Sequence, residues 1–325
     1  MGTGALRRGS VRFVVVLVAV GVTLAVVDTA MATPPGENGL IVFAADESGS
    51  SQLYVVQPNG DHLRQITHVN GDASNPDWSP DGRRIVFEWA LPNDAGAVIG
   101  VVAPNGTHLR MLSSSGGFDG QPSFTPDGLQ VVFDRFDGNV DASIFIRALV
   151  GAPGIRRVTD AFPHADTDAN VSPDGQRISF VRFRNSVEFQ QALFTKNLRG
   201  GGLHRLTPYS FDVGIKQDWS PDGQRIVFTR DANPTPATPA LDANLATIRA
   251  DGTGLKMLTQ FSHGMFSAFA GSYSPDGEWI VFRLENRHTG QTGLWKMHPD
   301  GTNRRLIFSS PDITARFIDW GPRPS

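Results

Sequence analysis

Three carboxylates and three small polar side chains recur along this chain at similar intervals. Asp77, Ser123, Asn170, Asp218, Ser272 and Asp319 each stand one residue before a bulky position, held by Trp78, Phe124, Val171, Trp219, Tyr273 and Trp320. Neighbours in a strand point to opposite sides. If the bulky set packs inward, the polar set faces elsewhere, towards a central channel or its rim. Asp77, Asn170, Asp218 and Asp319 are therefore the candidate ligand-binding residues. Their oxygens could hold a cation, a basic peptide end or ordered water. Lys216 and Arg316, slightly earlier in two of the repeats, are candidate counter-charges. The bland alternative is that the set caps turns and satisfies local backbone.

The elements that position these residues are repeats. "WSPDGRRIVF" begins at Trp78, and near-copies begin at Phe124, Val171, Trp219 and Tyr273, at intervals of 46, 47, 48 and 54 residues. Ser-Pro-Asp-Gly makes a tight turn: proline presets φ, aspartate bonds back to the backbone and glycine takes the positive φ. The β-branched and aromatic run after it has strand composition. A second phrase, such as "PNGDHLRQIT" from Pro58, "PNGTHLRMLS" from Pro104 and "RADGTGLKMLT" from Arg249, marks another hairpin. Four short strands every 40 to 50 residues indicate a propeller blade.

The chain ends complete the count. "IDWGPRP", Ile318 to Pro324, opens a repeat and then stops. "NGLIVFAAD", Asn38 to Asp46, resembles the second strand of a repeat whose first strand is missing. The fold expected is all-β: a six-bladed β-propeller of four-stranded antiparallel blades. One C-terminal strand and three N-terminal strands, at about Leu40–Ala45, Gln52–Gln57 and Leu63–Thr67, would close the ring. Such pairing removes an exposed edge, which matters in a chain with no cysteine to staple it.

The five "W-S-P-D-G-x-x-I-x-F" phrases resemble those of the TolB-like propeller family, over about Asn38 to Pro324. The resemblance implies a propeller without the α/β domain that precedes it in TolB itself. It implies no single activity, because a fold does not fix function. Similar repeats occur beside serine hydrolase domains, but no G-x-S-x-G elbow is found in this sequence.

Other chemistry is weaker in the pattern. His62, His108 and His204 recur with the second phrase. His68, His164, His263, His288 and His298 are scattered, and no H-x-x-x-H or H-E-x-x-H spacing occurs. Asp137, Asn139 and Asp141 start a calcium-loop pattern, but Ala142 and Ala148 stand where it needs glycine and glutamate. No catalytic residue, metal ligand or cofactor is assigned. The stretch 231–242, "DANPTPATPALD", reads as an extended surface loop, either a partner-binding segment or a tolerated insertion.

Residues 1–32 read as a signal peptide or N-terminal anchor. Arg7, Arg8 and Arg12 precede an apolar run from Phe13 to Val27, and Ala30-Met31-Ala32 forms an A-x-A site. Membrane contact is expected only through residues 11–27, if they are retained. Residues 33–325 would form one domain. Without the leader, the net charge moves from −3 to −5, which argues against nucleic acid. The sequence thus points to an exported, monomeric module of the cell envelope or exterior. It would bind or scaffold a protein, peptide or glycan. The alternative is a propeller enzyme of the lyase or lactone-hydrolase type, acting at the channel mouth.

Overall fold

A computed structural model describes residues 36–46, 49–113, 117–136, 142–150, 154–184, 190–230, 243–262 and 264–324. Residues 1–32, the Asp137–Asn139–Asp141 pattern, His263 and the stretch 231–242 lie outside the described residues. Within them the chain is all-β, in a propeller arrangement.

Each sheet is named here by its first strand. The Asp72 sheet runs Asp72–Trp78, Ile85–Ala90, Ala97–Val102 and Arg110–Met111. The Phe118 sheet runs Phe118–Phe124, Gln130–Phe136, Ala142–Ala148 and Ile155–Arg157. One parallel pair, Ala97 with Phe118, joins these two into eight strands. Three further four-stranded sheets start at Ala165, Asp218 and Phe266. The terminal sheet orders Arg316–Pro322, Asn38–Asp46, Ser51–Val56 and Arg64–Gln65. Its first two strands pair antiparallel, Ile41 with Trp320 and Val42 with Asp319.

Local chemistry accounts for the strand ends. In the first turn, Ser79 Oγ donates to Asp81, and the Arg84 amide donates to Ser79 Oγ at 2.9 Å. The same pattern recurs at Ser172–Asp174, Ser220–Asp222 and Ser274–Asp276. The outer strands are shorter than the sequence suggests: Arg64–Gln65 has two residues where Leu63 to Thr67 was expected. A hydroxyl takes over from the backbone ladder there. The Leu53 amide donates to Thr67 Oγ1 at 2.8 Å, and Ile99 does the same to Ser113 at 2.9 Å. That is why the second phrase ends in threonine or serine.

The core lies between sheets. Val86 and Ile99 pack on Phe124 and Phe133; Val132 and Ile144 on Val171 and Phe180; Val181 and Leu193 on Trp219 and Phe228. Val227 and Leu245 pack on Tyr273 and Phe282, Val281 and Leu294 on Ile41 and Trp320, and Val42 and Leu53 on Trp78 and Phe87. The bulky residue that follows each polar position is buried in every case. Burying large rings in this way supplies much of the packing energy.

Candidate functional site

The structure places the recurring polar residues at the seams between sheets. Asp77 Oδ2 accepts from the Phe124 amide at 2.8 Å, and Asp218 Oδ2 from the Tyr273 amide at 2.8 Å. Ser272 Oγ accepts from the Trp320 amide at 2.7 Å, and Asp319 Oδ2 from the Trp78 amide at 2.8 Å. Asn170 Nδ2 donates to the Gln217 carbonyl and to Asp218 Oδ1, both at 3.2 Å, and Ser123 Oγ donates to Asn170 Oδ1 at 3.4 Å. Each residue thus reaches a neighbouring sheet, 47 to 55 residues along for five of them and 241 residues back to Trp78 for Asp319.

A second set of residues lies two positions earlier. Asn75, Gln121, Asp168, Lys216 and Phe317 all have positive φ, between 46° and 64°. Register breaks flank three of them: Ser74/Asp77, Gly120/Ser123 and Thr167/Asn170. A bulge of this kind re-aims a side chain. The Lys216 amide donates to Asp168 Oδ2 at 2.6 Å, and its Nζ donates to the Pro76 carbonyl at 2.8 Å. Lys216 therefore links the Asp218 sheet to the Asp72 sheet.

Acidic groups gather around that lysine. Burial, then the nearby Asp319 carboxylate, pushes Asp77 well above the usual carboxylate range, and Lys216 opposes this. The same two causes push Asp218 up to about 8. Burial also raises Glu88, Asp134 and Asp168. Glu88 Oε2 accepts from Asn75 Nδ2 at 2.9 Å and from the Gln121 amide at 3.2 Å. Sequence reasoning missed Glu88, Asp134 and Asp168. The available signal was chemical variation at otherwise repeating positions. Lys216, named from sequence as a counter-charge, acts on Asp77, Glu88, Asp168 and Asp218.

Above Lys216 opens a cavity of about 420 Å³, lined by Phe269, Arg283, Glu285, Arg316 and Phe317 among others. The Arg283 guanidinium lies 4.0 Å over the Phe269 ring, its cross-strand partner, and 3.7 Å from Glu285. Burial lowers the pKa of Arg283. Its Nε has no hydrogen-bond partner among the described residues. Arg316, the other sequence-derived counter-charge, is exposed at this mouth. The mouth thus combines cations, one carboxylate and aromatic faces, chemistry suited to a chain segment with an acidic group and an apolar one.

Among the described residues, no histidine lines this cavity. His62 and His108 sit exposed in turns with φ of 57° and 59°. Gly254 and Asn303 occupy the same turn position with φ of 63° and 55°. Recurrence at these positions reflects a left-handed backbone. His204 is an exposed strand residue.

Comparison with known proteins agrees with this architecture. A 42-residue stretch is 45% identical to the Tol-Pal system protein TolB of Nitratidesulfovibrio vulgaris; it covers 13% of this chain and 10% of that relative. The crystal structure of TolB from Acinetobacter baumannii superposes with a TM-score of 0.69 at 20% identity, over 89% of this chain and 68% of the other. Hydrazine synthase of Kuenenia stuttgartiensis gives a TM-score of 0.69 at 14% identity, over 90% of this chain and 48% of the other. At such identities these likenesses show the fold alone. The sequence profile of the TolB beta propeller domain matches residues 25–146 and 105–323, and by that match the chain belongs to the TolB beta propeller domain family.

Proposed function

We propose that this chain is an exported, monomeric six-bladed propeller that binds an extended segment of an envelope or extracellular protein at the channel mouth. The eight-stranded sheet counts as two blades, and the terminal sheet closes the ring. The run of six apolar seams, ending between the terminal sheet and Trp78, supports that count. A ring shut by backbone pairing suits a chain without cysteine. Residues 33–325 act as one domain, delivered by the segment 1–32. N-terminal sequencing of the exported protein tests this, with a start at Thr33 expected.

The observation that carries the binding reading is Arg283. Its side chain lines the mouth, its guanidinium lies on Phe269, and its buried Nε has no partner among the described residues. Lys216 lies beneath and bridges to Pro76, so a bound segment docks its tip rather than threading through. Asp77, Asn170, Asp218 and Asp319 frame the channel wall and keep its shape. The experiment is selection of a displayed peptide library on residues 33–325, followed by calorimetry of the enriched peptides. Arg283→Ala is expected to weaken them about tenfold or more, the scale of one charge-assisted hydrogen bond. Enriched peptides indifferent to Arg283→Ala and Phe269→Ala would refute the assignment.

A further inference from the structure

One repeat position separates the Phe266 sheet from two of its relatives. In the Phe118 sheet, Asp119 holds Arg135 through two bonds of 2.6 and 2.8 Å. That guanidinium lies 5.5 Å over Phe145, on the third strand. In the sheet starting at Ala165, Asp166 holds Arg182 at 2.6 and 2.7 Å, and Arg182 lies 5.2 Å over Phe194. The matching pair in the Phe266 sheet is Ala268 with Leu284, and the matching third-strand aromatic is Trp295, paired with Phe282. Neither an aspartate nor a guanidinium is present at this position to cap the ring.

A cleft of about 740 Å³ occupies that place, within the range of small-molecule sites. Trp295, Phe266, Leu284 and Leu306 give it apolar surface, and no charged residue among the described ones lines it. Its rim is hydroxyl and carboxamide: Asn286, Thr289, Gln291, Thr292, Ser309 and Thr314. Gly293 keeps the indole close to the strand, since a Cβ there would lie 2.7 Å from Trp295 Nε1. The walls are tied before any ligand arrives. Asn286 Oδ1 accepts from the His288 and Thr289 amides at 3.0 and 3.2 Å, and Thr292 bonds Thr314 at 3.2 Å.

We propose that this cleft binds a neutral saccharide. A sugar ring offers a C–H face to an indole and hydroxyls at its edge, which matches an apolar floor under an uncharged polar rim. A cationic ligand would lack the carboxylate that holds Arg135 or Arg182 in the related sheets, and an anionic one would find no cation. The site is separate from the channel mouth and independent of the reading given for it.

The test uses residues 33–325 and four neutral disaccharides: cellobiose, maltose, lactose and chitobiose. Binding is followed by saturation-transfer NMR and calorimetry. At least one is expected to bind with a Kd below about 1 mM. The double variant Ala268→Asp with Leu284→Arg rebuilds the ion pair of the neighbouring sheets and refills the cleft; it is expected to lose about tenfold or more in affinity. Gln291→Ala, in an exposed loop, guards against a variant that fails to fold and is expected to lose about threefold or more. Arg283→Ala, at the mouth, is expected to bind the sugar unchanged. No binding by any of the four disaccharides overturns the proposal, as does binding that neither cleft variant weakens.

Discussion

The carboxylate of Asp319 accepts a hydrogen bond at 2.8 Å from the amide of Trp78, 241 residues earlier in the chain. The indole of Trp320, the next residue, donates to the Gly39 carbonyl at 3.3 Å. Two adjacent residues of one late strand thus hold two different early segments. Ser272 completes the seam on the other side, accepting from the Trp320 amide at 2.7 Å.

Ser272→Ala leaves that buried amide without an acceptor. The expected loss is about 1–3 kcal/mol, the usual cost of an unsatisfied buried donor. Urea denaturation followed by tryptophan fluorescence measures it. A change within experimental error would mean that the seam is held by packing alone.

Gly321 faces the Trp78 ring so closely that an added Cβ would lie 2.3 Å from it. Gly321→Ala is therefore expected to destabilise by about 1–3 kcal/mol, as overpacking does. Pairing this change with Trp78→Phe should recover part of the loss, because the smaller ring relieves the contact. A denaturation series over the two single variants and the double variant reads this coupling directly.

Asp218 gives stability a pH dependence of definite sign. Its folded pKa is raised to about 8 by burial and by Asp319, from 3.8 for an unperturbed aspartate. Between these values the folded chain keeps a proton that the unfolded chain has released. Its contribution is fully present below about pH 4 and is lost as pH rises through about 8. Asp218→Asn keeps an oxygen for the Tyr273 amide and cannot ionise. Relative to the parent, its stability should improve from pH 4 to about pH 8 and level off above that, and parallel stability curves would contradict this account.

Lys216 moderates the same window. Its charge lowers Asp77, Asp168, Glu88 and Asp218 against the effect of burial. Lys216→Met should cost about 1 kcal/mol near pH 4, where the bond to Pro76 is lost, and more towards pH 8. Unfolding curves at several pH values distinguish this from a uniform loss, which would indicate that only the bond to Pro76 matters.

The repeat was legible because its turns are chemically explicit. Ser-Pro-Asp-Gly fixes one hairpin, and the buried ring before it fixes the seam, so strands and their order follow from spacing. The pairing of Val42 with Asp319 was legible for the same reason: one end has the strand that the other lacks. The channel was harder to read. Alternation turned Asp77 away from the side of Trp78, but it did not announce the register break between Ser74 and Asp77 or the positive φ of Asn75. No composition signal marks a positive φ at glutamine, lysine or phenylalanine. The mouth at Arg283 and Phe269 depends on cross-strand pairing, and the cleft at Trp295 is defined by a missing ion pair. That absence is visible only when equivalent positions are aligned in space.

The pairing of the strand Asn38–Asp46 with Arg316–Pro322 sets a timetable. During synthesis the early strand emerges first, yet its partner follows some 277 residues later, counted from Val42 to Asp319. At ordinary elongation rates that is a delay of roughly 15 s to a minute. Throughout it, the edge of an apolar strand is available to any other strand it meets. The sheet whose strand emerges first is therefore completed only when Arg316–Pro322 arrives, and until then one edge of Asn38–Asp46 waits for its partner.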